Sequence, residues 1–171
     1  MNNFWVSPNS VLIECVIVPS TGGTTNKNPF GTQKQLQNKK VVAIESFSSQ
    51  DVVNSPISQA NPCINAQVFN TSFLTLYRAS TPAIGNQPAQ NEGLYYDQLP
   101  LSVLRRVVNQ NNSGVNLTSS CMDLFRINPT EMSWTKCYVT CTPSVPISSA
   151  VSALFLVHYL NEHQDWKPYA A

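Results

Sequence analysis

Ser133-Trp-Thr-Lys-Cys-Tyr-Val-Thr-Cys-Thr142, followed by Val151-Ser-Ala-Leu-Phe-Leu-Val-His-Tyr-Leu160, decides the fold. A strand turns successive side chains to opposite sides. In the first stretch Cys137, Val139 and Cys141 therefore make a small apolar face, opposite Trp134, Lys136, Tyr138 and Thr140. In the second, Val151, Ala153, Phe155, Val157 and Tyr159 form an apolar set, and the other side still carries Leu154, Leu156 and Leu160 beside Ser152 and His158. A strand apolar on both sides is expected to be central and covered on both faces. The intervening Pro143-Ser-Val-Pro-Ile-Ser-Ser-Ala150 continues neither strand, since proline and serine favour turns, so the two stretches read as a hairpin-like pair.

The same pattern extends upstream. Ser10 to Val18 reads as a strand with Val11, Ile13, Cys15 and Ile17 inward and Glu14 outward, stopped by Pro19. Residues 19–38 are rich in Gly, Thr, Asn, Gln and Lys and read as a long loop or arm. Lys40 to Phe47 is a second strand, and Asp51 to Gln59, interrupted by Pro56, a weaker third. Ala66 to Asn70 and Ser72 to Arg78 add β pattern, and Gly93 to Leu99 another strand. Pro100 to Val108 has helical spacing at Leu101, Leu104, Val107 and Val108, which allows one or two turns amid β surroundings. Ser119 to Arg126 is a short further strand candidate. About eight strands, long connections and no internal repeat predict an all-β fold: a single jelly roll, a two-sheet antiparallel sandwich with Greek-key crossings.

Composition bounds the function. The 171 residues suffice for one domain over 1–171, with 161–171 as a C-terminal tail. Charged residues make up 11%, far below the usual quarter, and the net charge of +1 supplies no field to steer nucleic acid. Amides and hydroxyls fill the gap, a surface that avoids the desolvation cost of burying charge at contacts. Five cysteines and a start without a basic, apolar leader predict synthesis in the cytoplasm with thiols buried as small hydrophobes. The three Asn-x-Ser/Thr sequences then read as accidents of an Asn-rich chain.

Chemistry-bearing motifs are scarce. His158, within the most apolar strand, reads as a hydrogen-bonded structural residue rather than a base. Cys137 and Cys141 share a strand face but lack the closer spacing and second ligand pair of a zinc site, so no metal or other cofactor is expected. Glu131 and Asp123 are not brought together by anything in the sequence, and Gly22-Gly23 lacks the context of a phosphate loop. The expectation is a protein that is not an enzyme and takes no small-molecule substrate. Contact residues are sought instead in Trp5, Lys27, Lys34, Arg105, Arg106 and Trp166. Arg105-Arg106 suits an intersubunit ion pair or solvated surface, and Trp166 an interface anchor. Lys27, Lys34, Lys39 and Lys40 crowd the 20–40 arm with no acid among them, which fits either a contact with genome or internal membrane or a solvated loop.

The order Val41-Val-Ala-Ile-Glu-Ser-Phe47, Ser55-Pro56, Phe73-Leu-Thr-Leu-Tyr77, Leu99-Pro-Leu-x-x-Leu104, Trp134-Thr-Lys-Cys-Tyr-Val139 and the closing His158-Tyr159 resembles jelly-roll virion proteins of bacteriophages. The likeness is to the small capsid and vertex proteins of icosahedral, lipid-containing phages and covers Lys39 to Leu160. It implies a structural capsid protein, made in the host cytoplasm and placed in the virion. It would form a pentamer, or alternatively a trimer, beside neighbouring capsid proteins. The chain is too short for the double jelly roll of major capsid proteins in that lineage, which points to a penton or minor capsid protein. The competing reading is a carbohydrate- or receptor-binding β-sandwich such as a phage fibre head.

Overall fold

Eight strands pair as nested partners. The computed structural model describes residues 11–24, 26–49, 51, 62–83, 88–105, 124–142 and 146–160. The strands are β1 (Val11–Pro19), β2 (Asn26–Pro29), β3 (Lys40–Phe47), β4 (Ser72–Arg78), β5 (Gly93–Pro100), β6 (Arg126–Glu131), β7 (Tyr138–Cys141) and β8 (Ser152–Leu160). One sheet has the order β1-β8-β3-β6 and the other β2-β7-β4-β5. First pairs with last, second with seventh, third with sixth and fourth with fifth, all antiparallel. This is one long hairpin, its tip between β4 and β5, rolled so that successive pairs fall alternately into the two sheets. That arrangement is the jelly roll, with the Greek-key crossings the long connections predict.

The core lies between the sheets. Phe155, Val157, Val16, Val18 and Ile44 project from the first sheet, and Leu74, Leu76, Val139 and Cys141 from the second. An aromatic chain links the layers: Phe30, just beyond β2, has its ring centroid 5.1 Å from Phe155 and 5.4 Å from Trp134. The Trp134 indole N–H is buried and has no hydrogen-bond partner.

β8 is central, between β1 and β3, and buried on both faces, as its composition predicts. The inward face of Cys137, Val139 and Cys141 is likewise found. Several expectations are corrected. β7 and β8 lie in different sheets and are not a hairpin, because the Pro/Ser link crosses from one layer to the other. The parity of β1 is reversed: Val16 and Val18 are in the core, whereas Ile13 is 55% exposed. Both faces of that strand are apolar, so alternation alone cannot choose between them. Residues 66–70 form a helical turn, α1 (Ala66–Asn70), because the Asn65 side chain accepts from the Val68 amide at 2.9 Å and caps it. The 19–38 loop contains β2 and a 3-10 turn at Lys34–Leu36. Asn128-Pro-Thr-Glu131 belongs to β6; its Pro129 is tolerated because β6 is a sheet edge. The helical spacing after Pro100 yields one 3-10 turn, Leu101–Leu104. The weak strand at Asp51 to Gln59 and most of Ser119 to Arg126 lie outside the described residues.

Candidate functional site

Register places the four longer-range connections at one end of the barrel. Pro19, ending β1, faces Ser152, beginning β8, and Phe47, ending β3, faces Leu154. Asn26 and Ser72, beginning β2 and β4, both face Cys141, ending β7, and Pro100, ending β5, faces Phe73. Hence the strand ends joined by the connections 20–25, 48–71, 101–125 and 142–151 all lie at the same end.

Their described residues are held by uncharged groups and by the Asp51–Arg105 ion pair. Asn28, buried in β2, accepts from the Thr21 amide at 2.7 Å and the Thr21 hydroxyl at 3.1 Å, and its own amide donates to Asn26 Oδ1 at 2.5 Å. That holds the first connection against β7, where the Asn28 amide also reaches the Val139 carbonyl at 3.3 Å. Gly22 and Gly23 have φ of +83° and +101°, a backbone that side chains rarely adopt, and Gly23 exchanges backbone hydrogen bonds with Ile147. In the second connection Pro62 to Ile64 continues alongside β8 beyond the end of β3, with the Ile64 amide donating to the Ser152 carbonyl at 3.0 Å. Asp51 is gripped by Arg105, from the third connection, through Nη2 to Oδ1 at 2.7 Å and Nε to Oδ1 at 3.0 Å. Burial alone would raise the Asp51 carboxyl. The hydrogen bonds from Arg105 and from the Ser48 amide and hydroxyl, with the guanidinium charge, outweigh that and hold it below the usual carboxylate range.

Between the second and fourth connections lies a cleft of about 180 Å³. Ile64 and Val68 form its buried floor, and Ile147 and Val151 are half-buried walls. Exposed Asn65, Gln67, Pro146 and Ser148 make the rim. Nothing lining it carries charge. The cleft is smaller than a pocket for a drug-sized molecule, which takes roughly 300 Å³ or more. It compares with the roughly 150 Å³ cavity that accepts benzene, and so suits one apolar side chain.

A second polar feature lies on the outward face of β8 and β3. His158 and Ala43 are register partners, Glu45 lies two residues on, and His158 Nε2 is 2.8 Å from Glu45 Oε2. Both residues are buried. His158 is thus hydrogen-bonded, as its apolar strand suggests; Glu45 as the partner was not legible, since β3 and β8 are over a hundred residues apart. At the opposite end of the barrel, Glu92 accepts from the Ser133 hydroxyl at 2.5 Å and pairs with the Lys136 ammonium. Among the described residues no three His, Cys, Asp or Glu side chains converge as metal ligands. Of the described cysteines, Cys63, Cys137 and Cys141 are buried and Cys15 is half-buried. Desolvation pushes the Cys137 thiol up to about 11, only partly offset by its hydrogen bond with Tyr77.

Three of the six residues singled out from sequence, Lys27, Lys34 and Arg105, fall within the described residues. Lys27, in β2, holds its ammonium 4.7 Å from the centroid of the Tyr138 ring. Lys34 is exposed on the 3-10 turn at the far end of the barrel from the cleft. Arg105 is occupied within the chain by Asp51. Trp5, Arg106 and Trp166 lie outside the described residues. The cleft is not legible as such because Val68, half of its floor, lies in the Ala66 to Asn70 stretch whose pattern reads as β. The available signal was Asn65 standing three residues before Val68, the spacing of a capped turn.

Compared with models of known families, with curated proteins and with solved structures, the chain matches none.

Proposed function

We propose that this chain is a structural virion protein, a single jelly-roll capsid building block of the penton or minor-capsid kind, assembled through loop and tail contacts. The observation that carries the reading is the nested pairing of eight strands with four connections gathered, and anchored, at one end. Such a body is a brick whose longer connections are concentrated where neighbours can meet them. Its surface chemistry agrees, because uncharged amides and hydroxyls lose little on being taken from water when they find partners.

Three of the four sheet edges support contacts through loops rather than strand addition. Of the four edge strands, β2 and β6 carry Pro29 and Pro129, and β5 is interrupted by register shifts and by Gln98 at φ +49°. Proline and bulges are the devices that blunt edge-to-edge pairing. A ring then has to close through a heterologous interface made by side chains.

The test is the solution mass of the purified protein, with negative-stain images. A closed ring of five, or of three, is the expected result, and the virion is the expected location. A persistent monomer that binds glycans on an array would overturn the reading in favour of a carbohydrate-binding module.

A further inference from the structure

We propose that the cleft at the four-connection end seats Val103 of a neighbouring copy of the same chain, and that this contact closes the ring. The inference rests on the capsid reading above and goes beyond it by naming the two surfaces that meet. Val103 sits on the 3-10 turn Leu101–Leu104, 52% exposed, while Leu101 and Leu104 on either side are buried and fix the turn. The turn packs against α1, and α1 supplies Val68 to the cleft. Knob and hole therefore both adjoin one short helix. The Asp51–Arg105 ion pair sets the position of the turn immediately beyond the knob.

Geometry selects Val103 among the exposed large apolar residues of the described chain, the others being Leu12, Ile13 and Leu94. Leu12 and Ile13 begin β1 and Leu94 begins β5, so register puts all three at the opposite end of the barrel. Cyclic symmetry keeps equivalent points at one height along the ring axis. With the barrels upright in the ring, a knob can enter a neighbour's hole only if both lie at the same end. A knob at the far end would stack copies into an open filament instead. Chemistry agrees: the cleft offers an apolar floor with no charged group, and a branched aliphatic side chain brings none.

The experiment uses two variants of the full chain. Val103→Asp removes the knob and leaves the hole; Ser148→Trp fills the hole and leaves the knob. Both positions are exposed, and circular dichroism with thermal melting checks that each variant folds. Mass measurement should find each variant monomeric alone and the 1:1 mixture a heterodimer that grows no further, because one intact knob meets one intact hole. Wild-type rings with both variants still ringed would overturn the seating of Val103 while leaving the capsid reading in place. Two monomeric variants that fail to pair on mixing would overturn it too. A wild-type protein that stays monomeric at high concentration would sink both.

Discussion

Arg105 grips Asp51 from 54 residues further along the chain, its Nη2 2.7 Å from Oδ1 and its Nε 3.0 Å from the same oxygen. Ser48 completes the arrangement, its amide at 2.8 Å and its hydroxyl at 2.7 Å from Oδ2. The carboxylate thereby joins the second connection of the barrel to the third, beside the isolated bridge between Ser46 and Arg105.

That ion pair should make part of the stability acid-labile. The folded Asp51 carboxyl lies below its unfolded value, so its contribution is full above about pH 4 and is lost as pH falls through the folded value. Arg105→Met should cost about 1–2 kcal/mol at pH 7, discounted for the partial exposure of the guanidinium. Denaturant unfolding of both proteins at pH 7 and again near pH 2 checks this. The difference should shrink at the lower pH, and an equal difference at both would count against the ion pair.

Cys137 predicts the opposite limb of the pH profile. Its thiol is raised from 9.0 to about 11, so folding favours the protonated form. This contribution is complete below about pH 9 and is lost as pH rises towards 11, to the extent of about 3 kcal/mol. Alkaline melts of the wild type and Cys137→Ala should differ in slope across that window, the variant being flatter. At pH 8 the native thiol should also resist alkylation until the protein is unfolded.

The Glu45–His158 pair tests what a buried polar contact contributes. Glu45→Ala should destabilise by about 3–5 kcal/mol, since His158 then loses a buried partner. Replacing both, as Glu45→Leu with His158→Leu, should recover a large part of that loss, because two aliphatic groups suit a face already holding Leu154 and Leu160. A double-mutant cycle read by chemical denaturation gives the coupling. A coupling near zero would mean that the 2.8 Å contact carries no energy.

Trp134 should tolerate loss of its polar atom. Its buried N–H finds no acceptor, a desolvation penalty that phenylalanine would not incur. Trp134→Phe keeps the stacking on Phe30 and should cost less than about 1.5 kcal/mol, against roughly 3–5 for Trp134→Ala. A cost for the phenylalanine variant close to that for alanine would show that the indole volume dominates.

The fold was legible wherever one strand face was apolar and the other was not, as at Cys137, Val139 and Cys141. β3 and β4 were bounded correctly for a related reason: branched and aromatic runs ended at polar turns. β1 defeated alternation because Ile13 and Val16 are equally apolar, and only the opposing sheet decides which is inside. β2 and β6 were missed because proline argues against a strand unless one knows that the strand is an edge. The cleft is harder still. Ile64 and Ile147 meet only because Pro62 to Ile64 extends beside β8 and Gly23 holds Ile147, and neither contact leaves a local trace in sequence.

The nesting of partners has a consequence for biogenesis. Val11 has no ladder partner until Leu160 exists, so the outermost pair forms last during synthesis although its first half is made first. A ribosome-bound chain must hold an unmatched β1, with the core residues Val16 and Val18 uncovered, until nearly the whole barrel has been translated. Closing so distant a pair is slow, and the exposed interval invites aggregation. Chaperone protection of this first strand, rather than of the later ones, is what the topology demands.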